Sequence, residues 1–140
     1  MPVHFYFIEN NITLVQRKKL KLFIQSIAEK EKRPIESLNY IFCSDQYLLE
    51  MNIKYLKHNF FTDVITFDLS ETADRIVGEV YISIDRVKAN AAELSVLTNE
   101  ELHRVIFHGV LHLCGYKDKS KPDIDKMRAA ENKYLKLYFN

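Results

Sequence analysis

The chain is poor in the residues that make linkers, cross-links and membrane spans. Its 140 residues include three glycines, three prolines, two cysteines and no tryptophan. So few glycines and prolines exclude long flexible linkers. Cys43 and Cys114 are too few for a disulfide framework and too far apart for a C-x-x-C pair, so both are read as reduced and buried, without a reactive role. No apolar run approaches the ~20 residues that cross a bilayer, and no membrane association is expected. The opening residues Met1-Pro2-Val3-His4-Phe5-Tyr6 lack the basic region of a secretory signal, which makes the cytoplasm the expected location. Neither sign of charge dominates: 20 Lys and Arg against 19 Asp and Glu leave a net charge of +1. That balance argues neither for nor against a nucleic-acid partner.

What is present is the composition of a globular domain, 47% apolar and 28% charged. The length suffices for one core and not for two ordinary domains, so a single domain over residues 1–140 is expected. His4 to Ile8 reads as a strand, and Thr13 to about Lys32 as an amphipathic helix. Leu38 to Cys43 reads as a second strand. Ser44 or Asp45 then caps a helix to about Leu56, with Leu48, Met51 and Tyr55 inward. Asp63 to Phe67 and Ile76 to Ile84 have strand composition. Asp85 opens a helix through about Ser95. Thr98-Asn99-Glu100-Glu101 has the form of a capping box, with the threonine hydroxyl at the N-cap. The helix it opens ends near Gly115, a residue suited to a left-handed stop. Lys117 to Pro122 is a loop. Asp123 to about Phe139 forms a last helix, with Met127, Ala130, Tyr134 and Leu137 or Tyr138 toward the core. Interleaved strands and helices of this kind predict an α+β layered domain with a small mixed sheet packed with helices.

His108-Gly109-Val110-Leu111-His112-Leu113-Cys114-Gly115-Tyr116-Lys117-Asp118 carries the chemistry. Residues four apart lie on one face of a helix, so His108 and His112 can bind one metal ion. A chain that turns back after Gly115 can bring Asp118 to the same ion. Three protein ligands leave a position for water, the arrangement of a catalytic zinc. The pair alone is weak evidence: five histidines in 140 residues give some such spacing by chance in roughly one chain in six. Two ordinary helical histidines would look the same. The strongly apolar helix around them, the glycine and the following aspartate favour the metal. The zincin motif H-E-x-x-H is similar, but Gly109 stands where the catalytic glutamate would be, which disfavours a metalloprotease. A glycine there is also expected to leave open space beside the metal. His103 lies about 140° from His108 around the helix and is excluded as a ligand, as Cys114 is, about 200° from His112.

The same eleven residues resemble the signature of the YbeY family of ribosomal-RNA maturation endoribonucleases, H-G-x-L-H-L-x-G-Y-D-H. Thr62-Asp63-Val64-Ile65-Thr66-Phe67 is similar to that family's T-D-V-L-S-F strand. Gly78-Glu79-Val80-Tyr81-Ile82-Ser83 is similar to its G-[DE]-[IV]-x-[IV] strand, and Asn52 and Tyr55 match part of its L-N-x-x-Y helix. The resemblance implies a zinc-dependent, single-strand-specific endoribonuclease. It implies action in maturation of small-subunit rRNA at the 16S 3′ end and in ribosome quality control, with the rRNA and small ribosomal subunit as partners. It implies one Zn2+ per chain on His108, His112 and Asp118, with the two histidines acting in catalysis through the water the metal carries. Asp118 takes the place of the family's third histidine, and Leu56 that of its arginine, for which Lys57 or His58 can substitute. Arg104, Lys57, Lys117, Lys119 and Lys121 are candidate phosphate contacts, and Tyr116 a candidate base-stacking residue. A monomer is assumed. Two other classes fit the motif: a non-catalytic ribosome-assembly factor with a structural metal, and a metal-dependent hydrolase of another substrate.

Overall fold

A computed structural model describes residues 2–8 and 12–140. Among the described residues four strands and five helices follow in the order β1 Val3–Phe7, α1 Arg17–Lys30, β2 Ile35–Cys43, α2 Asp45–Leu56, β3 Val64–Asp68, β4 Ile76–Ser83, α3 Ile84–Leu94, α4 Thr98–Leu113 and α5 Lys121–Phe139. The strands form one sheet in the order β1-β2-β4-β3. β1 pairs parallel to β2 and β2 parallel to β4, while β3 runs antiparallel to β4 and forms an edge. The α+β layered domain with a small mixed sheet is therefore what the chain builds.

Strand alternation sorts the two faces of the sheet. Leu38, Tyr40 and Phe42 of β2, with Ile76, Val80 and Ile82 of β4, enter the main core with residues of α1, α4 and α5. The opposite face carries a smaller cluster of Cys43, Leu48 and Ile65 beneath α2. α4 is the central helix and packs against α1, α3, α5, β3 and β4. Its side chains at Leu102, Val105, Ile106, Phe107, Val110, Leu111 and Leu113 are buried, which fixes its position and rotation rigidly.

Several boundaries differ from the sequence reading, each for a local reason. α1 begins at Arg17, not Thr13, after Gln16 in a left-handed conformation (φ 52°). The side chain of Arg17 donates back to the carbonyl of buried Leu14 in that lead-in. Ser44 caps α2, its hydroxyl accepting from the Tyr47 N–H at 3.1 Å. Tyr55 does not face inward: it is 54% exposed. Buried Asn52 takes the inward position and donates to the Phe60 carbonyl at 2.9 Å. α3 is capped by Ser83, whose hydroxyl accepts from the Arg86 N–H. The capping box at Thr98 is not formed: Thr98 is already helical, Leu97 is the N-cap without a side-chain cap, and Glu101 turns inward as a buried carboxylate. Ser120 caps α5, which starts at Lys121. On α5 it is Tyr138 that is buried, while Leu137 is half exposed.

Candidate metal centre

The end of α4 is built to reverse the chain. Cys114 is its C-cap, and Gly115 follows with φ 107°, a backbone conformation that side chains rarely adopt. The Gly115 N–H bonds the His112 carbonyl and the Tyr116 N–H bonds the Leu111 carbonyl, both at 3.1 Å. This pair of bonds is the Schellman closure of a helix. The reversed chain carries Asp118 back over the helix face that holds the two histidines.

Asp118 Oδ2 lies 3.4 Å from His108 Nε2, and Oδ1 lies 3.5 Å from His112 Nε2. One donor atom from each of the three residues falls within 4.8 Å of the others. Two donors each ~2.05 Å from a tetrahedral zinc stand about 3.3 Å apart. The spacing and the donor types therefore suit a small divalent cation, and the three residues can hold one. The histidine side chains are 17% and 35% exposed, so the centre opens to solvent on one side. It forms the floor of a cavity of roughly 350 Å3, walled by Thr62, Asp63, Thr66, Glu101, Arg104, Arg128 and Glu131 among others.

Glu131 is the component that motif reading missed. It is 4% exposed on α5, and its Oε2 accepts from His108 Nδ1 at 2.7 Å. With Nδ1 carrying the proton, Nε2 presents its lone pair toward Asp118 and His112. A carboxylate behind a ligating imidazole in this way fixes its tautomer and raises its basicity. Burial pulls the His108 imidazole down, but the hydrogen bond and charge of Glu131, with the charges of Asp118 and Asp63, outweigh it and hold the ring above its usual value. The signal was present in the chain: Glu131 falls four residues after Met127 and three before Tyr134, on the face of α5 read as core. A carboxylate at such a position needs a buried partner.

Two further carboxyl groups stand at the wall. Burial raises the carboxyl of Asp63, and His108 opposes that rise; Asn90 Nδ2 donates to Asp63 Oδ2 at 3.4 Å. Glu101 is likewise raised by burial, against the pull of Arg104.

The other sequence candidates do not gather at one place. Arg104 lines the cavity, yet its guanidinium is engaged by Glu131 Oε1 at 3.2 Å, Asn132 Oδ1 at 2.8 Å and Glu101 at 3.6 Å. Arg128, which sequence reading passed over, is on the same wall with a side chain 56% exposed and 3.4 Å from Glu131. Tyr116 and Lys117 line a separate cleft beside Glu31, which accepts from the Tyr116 hydroxyl at 3.0 Å. Lys119 is exposed, and the Lys121 ammonium bonds both oxygens of Asp125 at 2.7–2.8 Å. Lys57 is exposed at the C-terminal end of α2. Burial and the hydrogen bond to the Asn99 carbonyl place His103 inside the core, away from the centre. Cys43 is buried and Cys114 half-buried, and burial pushes both thiols up to about 12, a protonated and unreactive state.

Gly109 does not open space at the metal. It is buried, and a Cβ there would meet Val80 Cγ1 at 2.7 Å. The glycine lets α4 lie close against β4. Gly78 works from the sheet side, where a Cβ would meet the Phe67 carbonyl oxygen at 2.9 Å and Leu113 at 3.1 Å.

Known proteins match this chain over most of its length. Residues 7–138 match the family model described as Endoribonuclease YbeY. A relative of that name from Cytophaga hutchinsonii is 48% identical over 135 residues, covering 96% of this chain and 94% of its own. One from Flavobacterium psychrophilum is 51% identical over 83% of this chain and 82% of its own. The solution structure of TM1509 from Thermotoga maritima superposes with a TM-score of 0.66 at 28% identity, covering 96% of this chain and 89% of that one. A central helix bearing two histidines, a glycine reversal and a whole-length match of this kind have one reading: the chain belongs to the Endoribonuclease YbeY family.

Proposed function

We propose that the chain is a zinc-dependent, single-strand-specific endoribonuclease that matures the 16S rRNA 3′ end of the small ribosomal subunit in the cytoplasm and serves ribosome quality control. In this reading residues 1–140 act as one hydrolase domain, as a monomer, with one zinc on His108, His112 and Asp118. The observation that carries it is the convergence of those three donors, 3.4 and 3.5 Å across the aspartate, at the floor of an open cavity in a chain of this family.

The residues divide the work. When bound, the metal supplies Lewis acidity and lowers the pKa of water toward neutrality. Glu131 holds His108 in the tautomer that can ligate. Arg128 is the cation on the wall with most exposure, and it offers a phosphodiester two N–H donors; Arg104 behind it keeps Glu131 compensated. Asp63 and Glu101 add carboxyl groups to the wall, both raised by burial.

The test is cleavage of a labelled single-stranded RNA by the purified chain, by chelator-treated chain, and by the same sample after zinc is returned. Activity should vanish on chelation, return with zinc, and be absent from His108→Ala. Equal degradation by all samples would show that the nuclease activity does not belong to this centre.

A further inference from the structure

Outside the cavity, the loop between α2 and β3 exposes two adjacent aromatic rings. Phe60 and Phe61 are 50% and 49% exposed. Large apolar groups held in water at one place mark recognition surfaces more often than they serve the fold. The loop is anchored at its root: the Asn52 side chain donates to the Phe60 carbonyl and the His58 N–H bonds the Asn52 carbonyl at 3.2 Å. The His58 and Phe60 rings lie 5.2 Å apart, and the Arg86 guanidinium lies 5.2 Å over the Phe61 ring. Lys57 projects from the same loop, exposed, at the end of α2. Phe61 is followed directly by Thr62 and Asp63, which wall the metal cavity. β3, which this loop enters, is an edge strand of the sheet among the described residues.

Exposed rings, one of them beneath a guanidinium, on a loop that begins at an exposed lysine and ends one peptide bond from the cavity, match the chemistry of a flexible polyanion with flat apolar faces. We propose that Phe60 and Phe61, with Lys57 of the same loop, stack the bases and hold the backbone of a single RNA strand as it leads into the metal cavity. The inference rests on the RNA-hydrolase reading above and adds to it the surface that selects unpaired strands. Bases in a duplex are already stacked on each other and present no face to a protein ring. An aromatic platform therefore discriminates by strandedness and tolerates any sequence.

The absence of tryptophan from the chain gives a direct probe. In the metal-loaded protein, Phe60→Trp or Phe61→Trp becomes the sole indole, and single-stranded RNA should quench at least one of them. The same RNA annealed into a duplex should not, nor should either RNA quench Leu137→Trp, an exposed site on α5. Phe60→Ala/Phe61→Ala should raise KM for single-stranded RNA about tenfold or more with kcat within about twofold. Lys57→Ala should flatten the log–log salt dependence of KM by about 0.7. Unchanged KM with neither indole quenched, in a wild type that cleaves RNA, overturns the platform and leaves the hydrolase reading standing. A wild type that neither binds nor cleaves RNA overturns both. Self-association that disappears in the double alanine variant, with KM unchanged, would assign the rings to contacts between copies and overturn the proposal. Should the alanine variant fail to fold, the tryptophan variants decide alone.

Discussion

Glu131 Oε2 accepts a hydrogen bond from His108 Nδ1 at 2.7 Å, so the first histidine of the motif is held from behind by a carboxylate that belongs to another helix. The candidate metal centre therefore draws on both α4 and α5, with Glu131 of α5 bracing its first histidine. Removing the acceptor charge while keeping the shape should loosen the imidazole and lower its basicity. Glu131→Gln is expected to retain the fold by circular dichroism and to bind zinc about 10–100-fold more weakly in competition with a chromophoric chelator. Unaltered affinity would show that Glu131 serves Arg104 and Arg128 alone.

Gly109 sets how closely α4 approaches the sheet. Gly109→Ala places a methyl group 2.7 Å from Val80 Cγ1, an overlap that the packed core must relieve by moving. The expected cost is about 1–3 kcal/mol of unfolding free energy, read by urea denaturation. Val80→Ala in the same chain should return part of it, giving a coupling between the two sites. Strictly additive losses would mean that the helix shifts without meeting Val80.

The pH dependence of metal binding follows from His108. In the metal-free fold its imidazole is held above the ordinary value, so the folded state binds the proton more tightly than the unfolded chain does. That stabilisation is complete below an unfolded pKa of about 6.5 and is lost as pH rises through the folded value. A metal must displace the same proton, so its contribution has the opposite slope. The gain in Tm on adding zinc should be small near pH 5.5 and grow toward pH 8. Asp63 and Glu101, both raised by burial, also favour the metal-free fold at low pH. Comparison with His108→Gln isolates the histidine, and a zinc-induced gain independent of pH would contradict this assignment.

Arg128 gives a test of the cavity wall. Its side chain is more than half exposed, against 18% for Arg104. Arg128→Ala should weaken RNA binding and reduce its salt slope by about 0.7, as loss of one phosphate contact from a single strand does. Arg104→Ala should instead lower stability, because it leaves Glu131 and Glu101 buried with less compensation. Thermal melts and binding isotherms of the two variants separate the roles.

The centre was legible because its main parts are local. His108 and His112 share a helix face by period alone, and Gly115 announces the reversal that returns Asp118. Strand and helix positions followed from alternation and from caps such as Ser44, whereas the Ser120 cap of α5 lay inside a stretch read as loop. Glu131 was obscured because its partner is 23 residues away, and a charged residue on an apolar helix face says only that some partner exists. Gly109 was misread for a related reason: its role depends on Val80 of a strand whose register with α4 no local pattern encodes. Thr98 failed as a cap because Glu101, the other half of the box, is drawn inward beside Arg104. Tyr116 and Lys117 are near Asp118 in sequence, yet the turn at Gly115 sends them to a different cleft.

The proposed function stands on His108, His112 and Asp118 binding one metal together. Crystals grown with zinc and measured at its absorption edge test that joint ligation most directly. A single anomalous peak is expected at the cavity floor, within about 2.0–2.2 Å of both imidazole Nε2 atoms and an Asp118 oxygen. No peak at that floor, or a zinc held by the histidines with Asp118 turned to solvent, would contradict it.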